Sequence, residues 1–207
     1  MLGVTRKLKM PGINELYKEI AVCRRCDLFK NATKAVPGEG PENAEIMFIG
    51  EAPGWNEDQQ GRPFVGAAGK FLDQLFASIG IKREQVYITN VVKHRPPENR
   101  DPLPGEISAC SIWLDRQLKL LHPRMIVTLG RHSMARFFPG KTISKIHGTA
   151  EKRDGIIYFA MYHPAAALHQ QSLKSAIEKD MLKIPELLAQ IQDPPEPKQN
   201  PKQLSMF

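Results

Sequence analysis

No stretch of this 207-residue chain approaches the roughly 20 consecutive apolar residues that a membrane-spanning helix requires. Its first residues, MLGVTRKLKMPG, are basic but lack the apolar segment of a secretory signal. A cytoplasmic protein with no membrane association is therefore expected. Cysteine is scarce, three in all, an odd number that no disulfide framework uses up. The CxxC spacing of Cys23 and Cys26 suits metal ligation or redox chemistry better. Internal repeats are absent, and the Gly/Pro-rich loop after Gly50 follows neither GxxxxGK[ST] nor GxGxxG, which argues against a nucleotide-phosphate loop. Acidic residues are outnumbered, 22 against 29 basic ones, for a net charge of +7. That excess favours a polyanionic partner without identifying one.

Four compact apolar runs, 46–50, 86–92, 125–130 and 156–161, are bounded by glycine or proline and read as buried strands. Between them, 66–79 and 107–121 carry apolar residues at helical spacing, and a further helix is expected from Leu173 to about Ile191. Strands that are apolar almost throughout and alternate with helices indicate a parallel sheet covered on both faces. The expected fold is α/β, a three-layer α/β/α sandwich around a central, mostly parallel four-stranded sheet. One domain should occupy residues 1–192, because the segment from Asp193 onward, DPPEPKQNPKQLSMF, is rich in proline and polar residues and reads as a flexible tail.

Such sheets bind ligands beyond the carboxyl ends of their strands. Here those ends bring Glu51, Asn90 and His163 to one expected crevice. The residues around them carry a resemblance. The run GEAPGWNEDQQGRPFVGAAGKFL from Gly50, the block TNVVKHRPPENRDP from Thr89, the pair VTLGR and His147-Gly148, and finally YHPAA from Tyr162 together resemble the family-four uracil-DNA glycosylases. The four blocks stand in the family's order across roughly residues 16–190. The resemblance implies a monofunctional enzyme that flips uracil out of DNA, hydrolyses its N-glycosidic bond and leaves an abasic site for base excision repair, acting as a monomer.

The resemblance implies roles for the matched positions, and the chemistry that such a family needs fits them. A base inside a duplex must be extruded into a pocket and read there; Phe64 is the expected stacking platform, with a core phenylalanine as the alternative. Asn90 offers an acceptor to uracil N3–H and a donor to O4, a pairing that cytosine cannot reproduce; a turn-forming asparagine is the alternative. Ala52 and the loop carrying Glu57 are expected at the pocket, where a steric wall is needed because an apolar pocket rejects thymine's methyl by only roughly 1–3 kcal/mol. His163 resembles the family's donor to uracil O2, where negative charge grows as the bond breaks. Glu51 is expected to orient water or to stabilise the cationic sugar. Leu168 reads as a wedge for the vacated base position or as a buried leucine, and Arg95, Arg100 and Lys145 as DNA contacts, with Lys93, Arg131 and Lys141 as further phosphate candidates.

The resembled family holds a 4Fe-4S cluster on four cysteines. Cys23, Cys26 and Cys110 match three of them, but the family's KCRPP reads Lys93-His94-Arg95-Pro96-Pro97, so His94 stands where the fourth belongs. Imidazole can ligate iron in such clusters; from spacing alone, three cysteines and a histidine would equally suit structural zinc. The terminal QLSMF resembles the peptide by which bacterial repair and replication proteins dock on the sliding clamp, with Gln203, Leu204 and Phe207 as anchors. Two other readings stay open: a cluster-bearing DNA-binding module without activity, and a related glycosylase that acts on other deaminated bases or bonds covalently to uracil. The covalent branch uses a histidine in an inserted loop not seen in this sequence.

Overall fold

The computed structural model describes residues 12–192. The tail from Asp193, with Gln203, Leu204 and Phe207, lies outside them. In chain order the elements are α1 (Ile13–Ala21), β1 (Ile46–Gly50), α2 (Trp55–Gln60), α3 (Ala67–Ser78), β2 (Tyr87–Asn90), α4 (Pro104–Leu121), β3 (Met125–Leu129), α5 (Arg131–Phe137), α6 (Ile143–Ile146), β4 (Ala150–Arg153), β5 (Ile156–Met161), α7 (Pro164–His169), α8 (Gln171–Met181) and α9 (Ile184–Gln192).

The strands form one sheet in the order β2-β1-β3-β5-β4. The first four are parallel, and every residue of β1, β2 and β3 is buried, as continuous apolar runs require. Alternate side chains serve two cores. Ile46 and Phe48 of β1 face Phe71, Leu72, Leu75 and Phe76 of α3 and Ile177 and Met181 of α8. Met47 and Ile49 face Leu16 and Ile20 of α1, Trp113 and Leu114 of α4 and Met134 of α5. This is the three-layer sandwich that the sequence predicts.

The sheet has five strands, not four. The fifth, β4, pairs antiparallel with β5 at the edge. It reads Ala150-Glu151-Lys152-Arg153, mostly exposed, and so lacks the apolar signal of the inner strands. It forms because Asp154 and Gly155, both at positive φ, make the tight turn that a two-residue hairpin needs. Its charges also protect an open sheet edge from further pairing. The single helix expected over 173–191 is two, α8 and α9, separated at Leu182 and Lys183.

The crossover from β1 through α3 places β2 on one side of β1, and the return through α4 places β3 on the other. The order therefore reverses at β1, and the loops leaving the carboxyl ends of β1 and β3 splay to opposite faces and open a crevice. Parallel pairing sets Gly50 opposite Asn90. A Cβ on Gly50 would stand 2.4 Å from Asn90 Oδ1 and 2.6 Å from Phe64 Cζ, so glycine is what lets these two side chains converge there. Likewise a Cβ on Gly69 would meet the Phe64 carbonyl oxygen at 1.9 Å, which explains a glycine inside α3 despite its cost to helix stability. Among the described residues, no helix is long and apolar enough to cross a membrane.

Candidate active site

A cavity of about 630 Å³ opens at this crevice, lined by Glu51, Ala52, Glu57, Phe64, Asn90 and His163, with Arg100, Asp101 and Arg131 among others. Glu51 and His163, 112 positions apart in the chain, thus share one pocket with Asn90, as expected from the strand ends.

Asn90 closes β2 and is 1 % exposed. Its Oδ1 has no hydrogen-bond partner among the described residues, a costly state for a buried acceptor unless a ligand completes it. Phe64 adopts a left-handed backbone, φ 50°, which a bulky residue takes up only when its surroundings impose it. Two groups do so. Arg83 donates from Nη2 to the Pro63 carbonyl (2.5 Å) and from Nη1 to the Phe64 carbonyl (3.2 Å), and Glu57 Oε1 accepts from the amides of Val65 and Gly66, both at 2.8 Å. The other Glu57 oxygen accepts from Gly54 N–H at 3.1 Å. Glu57 lines the cavity, but its carboxylate is already committed to clamping the loop after β1 onto the loop before α3.

His163 caps α7. Its Nδ1 accepts from the Ala165 amide at 3.1 Å, so in the neutral ring the proton sits on Nε2. Burial pulls its pKa down to about 4, against a smaller upward pull from Glu57, which keeps the ring neutral near pH 7. The ring stacks on Phe64, centroids 5.4 Å apart and planes inclined by 29°.

Burial raises the pKa of Glu51, partly offset by His132. His132 Nε2 lies 3.7 Å from Glu51 Oε2 and 3.6 Å from Asp101 Oδ1, and Asp101 is paired with Arg131. No motif in the sequence marks Asp101 and His132 as site residues. The available signal was position: His132 follows Gly130-Arg131 at the end of β3, and Asp101 belongs to the same NRDP run as Arg100.

The expected DNA contacts are distributed unevenly. Arg100 holds Glu106 in a bidentate pair, 2.7 and 2.9 Å, lowering the pKa of that carboxyl, while Glu106 also accepts from Leu103 N–H at 2.7 Å at the start of α4. Arg100 thus secures the entry to α4 as well as lining the cavity. Arg95 donates to Asn99 Oδ1 at 2.8 Å, and Lys145 is exposed on α6; neither lines the cavity. Leu168 is 52 % exposed on α7, between the cavity-lining residues Ala166 and His169.

Away from the pocket, Cys23 and Cys26 follow α1 and pack against the core that includes Cys110 of α4. Burial pushes the Cys110 thiol up to about 11, with further upward pulls from Cys26 and Cys23, and burial likewise raises Cys26. Trp113 Nε1 donates to Cys23 Sγ at 3.1 Å. His94 is 6 % exposed, its pKa lowered by burial, and shares with Cys23 the wall of a second cavity of about 270 Å³. Among the described residues, no three of these four ligand atoms lie within 4.8 Å of one another; the one group that does is Glu51, Asp101 and His132. A single tetrahedral zinc would bring its sulfur ligands to about 3.8 Å from each other, given Zn–S bonds of about 2.3 Å.

The sequence profile of the uracil-DNA glycosylase superfamily matches residues 37–184. The chain is 50 % identical over 188 residues to the type-4 uracil-DNA glycosylase of Sulfurisphaera tokodaii, covering 86 % of each chain. It is 47 % identical to the type-4 enzyme of Archaeoglobus fulgidus over 86 % of this chain and 94 % of that one. Against the type-4 enzyme of Thermotoga maritima the identity is 42 %, over 81 % and 88 % of the two chains.

Proposed function

Because this chain belongs to the uracil-DNA glycosylase superfamily, among its type-4 members, we propose that the cavity at the β1/β3 crevice receives a uracil extruded from DNA and releases it by hydrolysis. One observation carries the site assignment: the buried, unpartnered Oδ1 of Asn90. Uracil N3–H is a donor that would satisfy it, while the amide nitrogen of Asn90 donates to O4. Cytosine presents the opposite pattern, an acceptor at N3 and a donor at N4, and would leave both groups unpaired.

The base stacks on Phe64. Because the imidazole stands 5.4 Å from that ring, less than the roughly 7 Å that a third ring between them would need at van der Waals spacing, uracil lies beside His163 and not between the two rings. There the neutral Nε2–H of His163 donates to O2. As the C1′–N1 bond breaks, its electron pair moves onto the uracil ring and O2 gains negative charge, which this preorganised donor stabilises. Glu51 is negatively charged on the sugar side, where it stabilises the cationic sugar and orients a water. The water oxygen bonds to C1′ and its proton passes to solvent. Glu57 acts on the C5 side through the backbone that it clamps, holding Ala52, Pro53 and Gly54 against thymine's methyl. Leu168 fills the vacated base position from the rim, and Arg95, Arg100 and Lys145 contact the DNA.

Cys23, Cys26, His94 and Cys110 hold a metal cluster. The donor set fits: three thiols and an imidazole on segments that pack together, and the similarity to type-4 enzymes favours 4Fe-4S over zinc. Bound there, the cluster cross-links the segment after α1 to the loop after β2 and to α4.

Incubated with a uracil-containing oligonucleotide, the purified protein is expected to release free uracil and leave an alkali-labile abasic site, and to be brown. A protein that binds the oligonucleotide yet releases no base would sink the reading, and a colourless, zinc-containing one would sink the cluster. The terminal QLSMF docks on a bacterial sliding clamp. Deleting Gln203 to Phe207 should abolish capture by immobilised clamp and leave uracil release unchanged; equal capture by the shortened chain would refute this.

A further inference from the structure

Lys93 is 1 % exposed. Its ammonium donates three hydrogen bonds, each 2.7 Å long, to Thr89 Oγ1, the Asn90 carbonyl and Gln117 Oε1. Three donors thus meet three acceptors, none of them a carboxylate. Taking an ammonium out of water with no carboxylate beside it is expensive, and a methionine of similar length would fill the space without that cost. What the lysine adds is geometric: it joins the backbone at Asn90 to a buried polar network.

That network reaches four parts of the chain. Gln117 of α4 donates from Nε2 to the Pro37 carbonyl at 2.7 Å and to the Tyr87 hydroxyl at 2.9 Å. Thr89 Oγ1 donates to the same Pro37 carbonyl at 2.7 Å. The Tyr87 hydroxyl meets that of Tyr17 on α1 at 2.6 Å. Asn90, Thr89 and Gln117 are all 0–1 % exposed. On the opposite side, the Asn90 side chain has its Oδ1 without a partner. The asparagine is therefore held from its backbone, and Lys93 is the group that grips its carbonyl.

We infer that Lys93 is a positioning residue: by fixing the Asn90 carbonyl within the Thr89–Gln117 network, it sets where the Asn90 amide meets the base. This rests on the reading of Asn90 as the residue that pairs with uracil. A reading group displaced by about 1 Å costs on the order of 100-fold in rate, so a lysine that never touches substrate still controls turnover.

A double-mutant cycle tests the inference. Single-turnover release of uracil is measured, with enzyme in excess, for the unsubstituted protein, Lys93→Met, Asn90→Ala and the combination. Lys93→Met is expected to slow release about 10- to 100-fold on its own, and by less than about twofold once Asn90 is alanine, because the group it positions is then gone. Equal slowing in both backgrounds would show a general structural role and overturn the inference, as would an unslowed Lys93→Met. Should Lys93→Met not fold, Thr89→Val takes its place in the cycle, because it removes one of the lysine's three acceptors. Slowing of about 3- to 10-fold that vanishes beside Asn90→Ala is then the expected result, and equal slowing in both backgrounds, or none, again overturns the inference. Failure of the underlying reading looks different: the unsubstituted protein releases no uracil, or Asn90→Ala releases it at the unsubstituted rate.

Discussion

Asn90→Ala is expected to slow single-turnover release of uracil by about 10²- to 10³-fold while the folded protein persists. The substitution removes the acceptor for N3–H and the donor for O4 together, and Asn90 is buried, where each pairing is worth more than at a surface. The loss falls mainly on the chemical step, because positioning of the base sets how well His163 meets O2 as charge develops there. Stability should move little. Asn90 Oδ1 has no hydrogen-bond partner among the described residues, so alanine forfeits no protein contact through that atom and should unfold at about the same denaturant concentration or higher. Rate constants and denaturation midpoints of the same preparations test both statements. An unchanged rate removes Asn90 from the site.

His163→Ala should cost a similar factor, about 10²- to 10³-fold, because His163 is the cavity-lining imidazole that stacks on Phe64. Its behaviour with pH separates this role from proton transfer. Burial pulls the His163 pKa down to about 4, below the roughly 6.5 of the unfolded chain. A depressed value means that the neutral ring stabilises the fold fully above about pH 6.5, and that this contribution is lost as pH falls from there toward 4. A shift of this size corresponds to about 3 kcal/mol. Denaturant unfolding at pH 7 and pH 4.5 should therefore show a larger loss for the unsubstituted protein than for His163→Gln. The rate, in turn, should show no inflection near pH 6.5, since the ring stays neutral with its proton on Nε2. An inflection there that disappears in His163→Gln would mean that the ring titrates like a solvated histidine, and the neutral-donor role would fail.

The clamped Phe64 loop and the Lys93 network share a logic with these two residues. Each of the side chains proposed to read the base is held in place by a second group. Glu57 and Arg83 hold the left-handed Phe64, the Ala165 amide orients His163, and Lys93 holds Asn90. Enzymes that act by differential stabilisation of charge depend on such preorganisation, because groups that reorient during the reaction give back what they contribute.

Sequence alone was enough for the layered parallel sheet and for the meeting of Glu51, Asn90 and His163 at one crevice. Inner strands buried on both faces must be apolar at every position, and a parallel sheet delivers its carboxyl-end loops to a single side; both are local signals with a global consequence. The edge strand β4 escaped because its residues are exposed and carry no apolar pattern. Only the tertiary structure decided which charges are free and which are committed. Arg100 is spent partly on Glu106, Glu57 on three backbone amides, Lys93 lies inside the core, and His132 stands beside Glu51. The physical reason is that a residue's identity states what it can donate or accept, whereas its partner, its desolvation and hence its protonation are set by segments far away in the chain that only folding brings alongside.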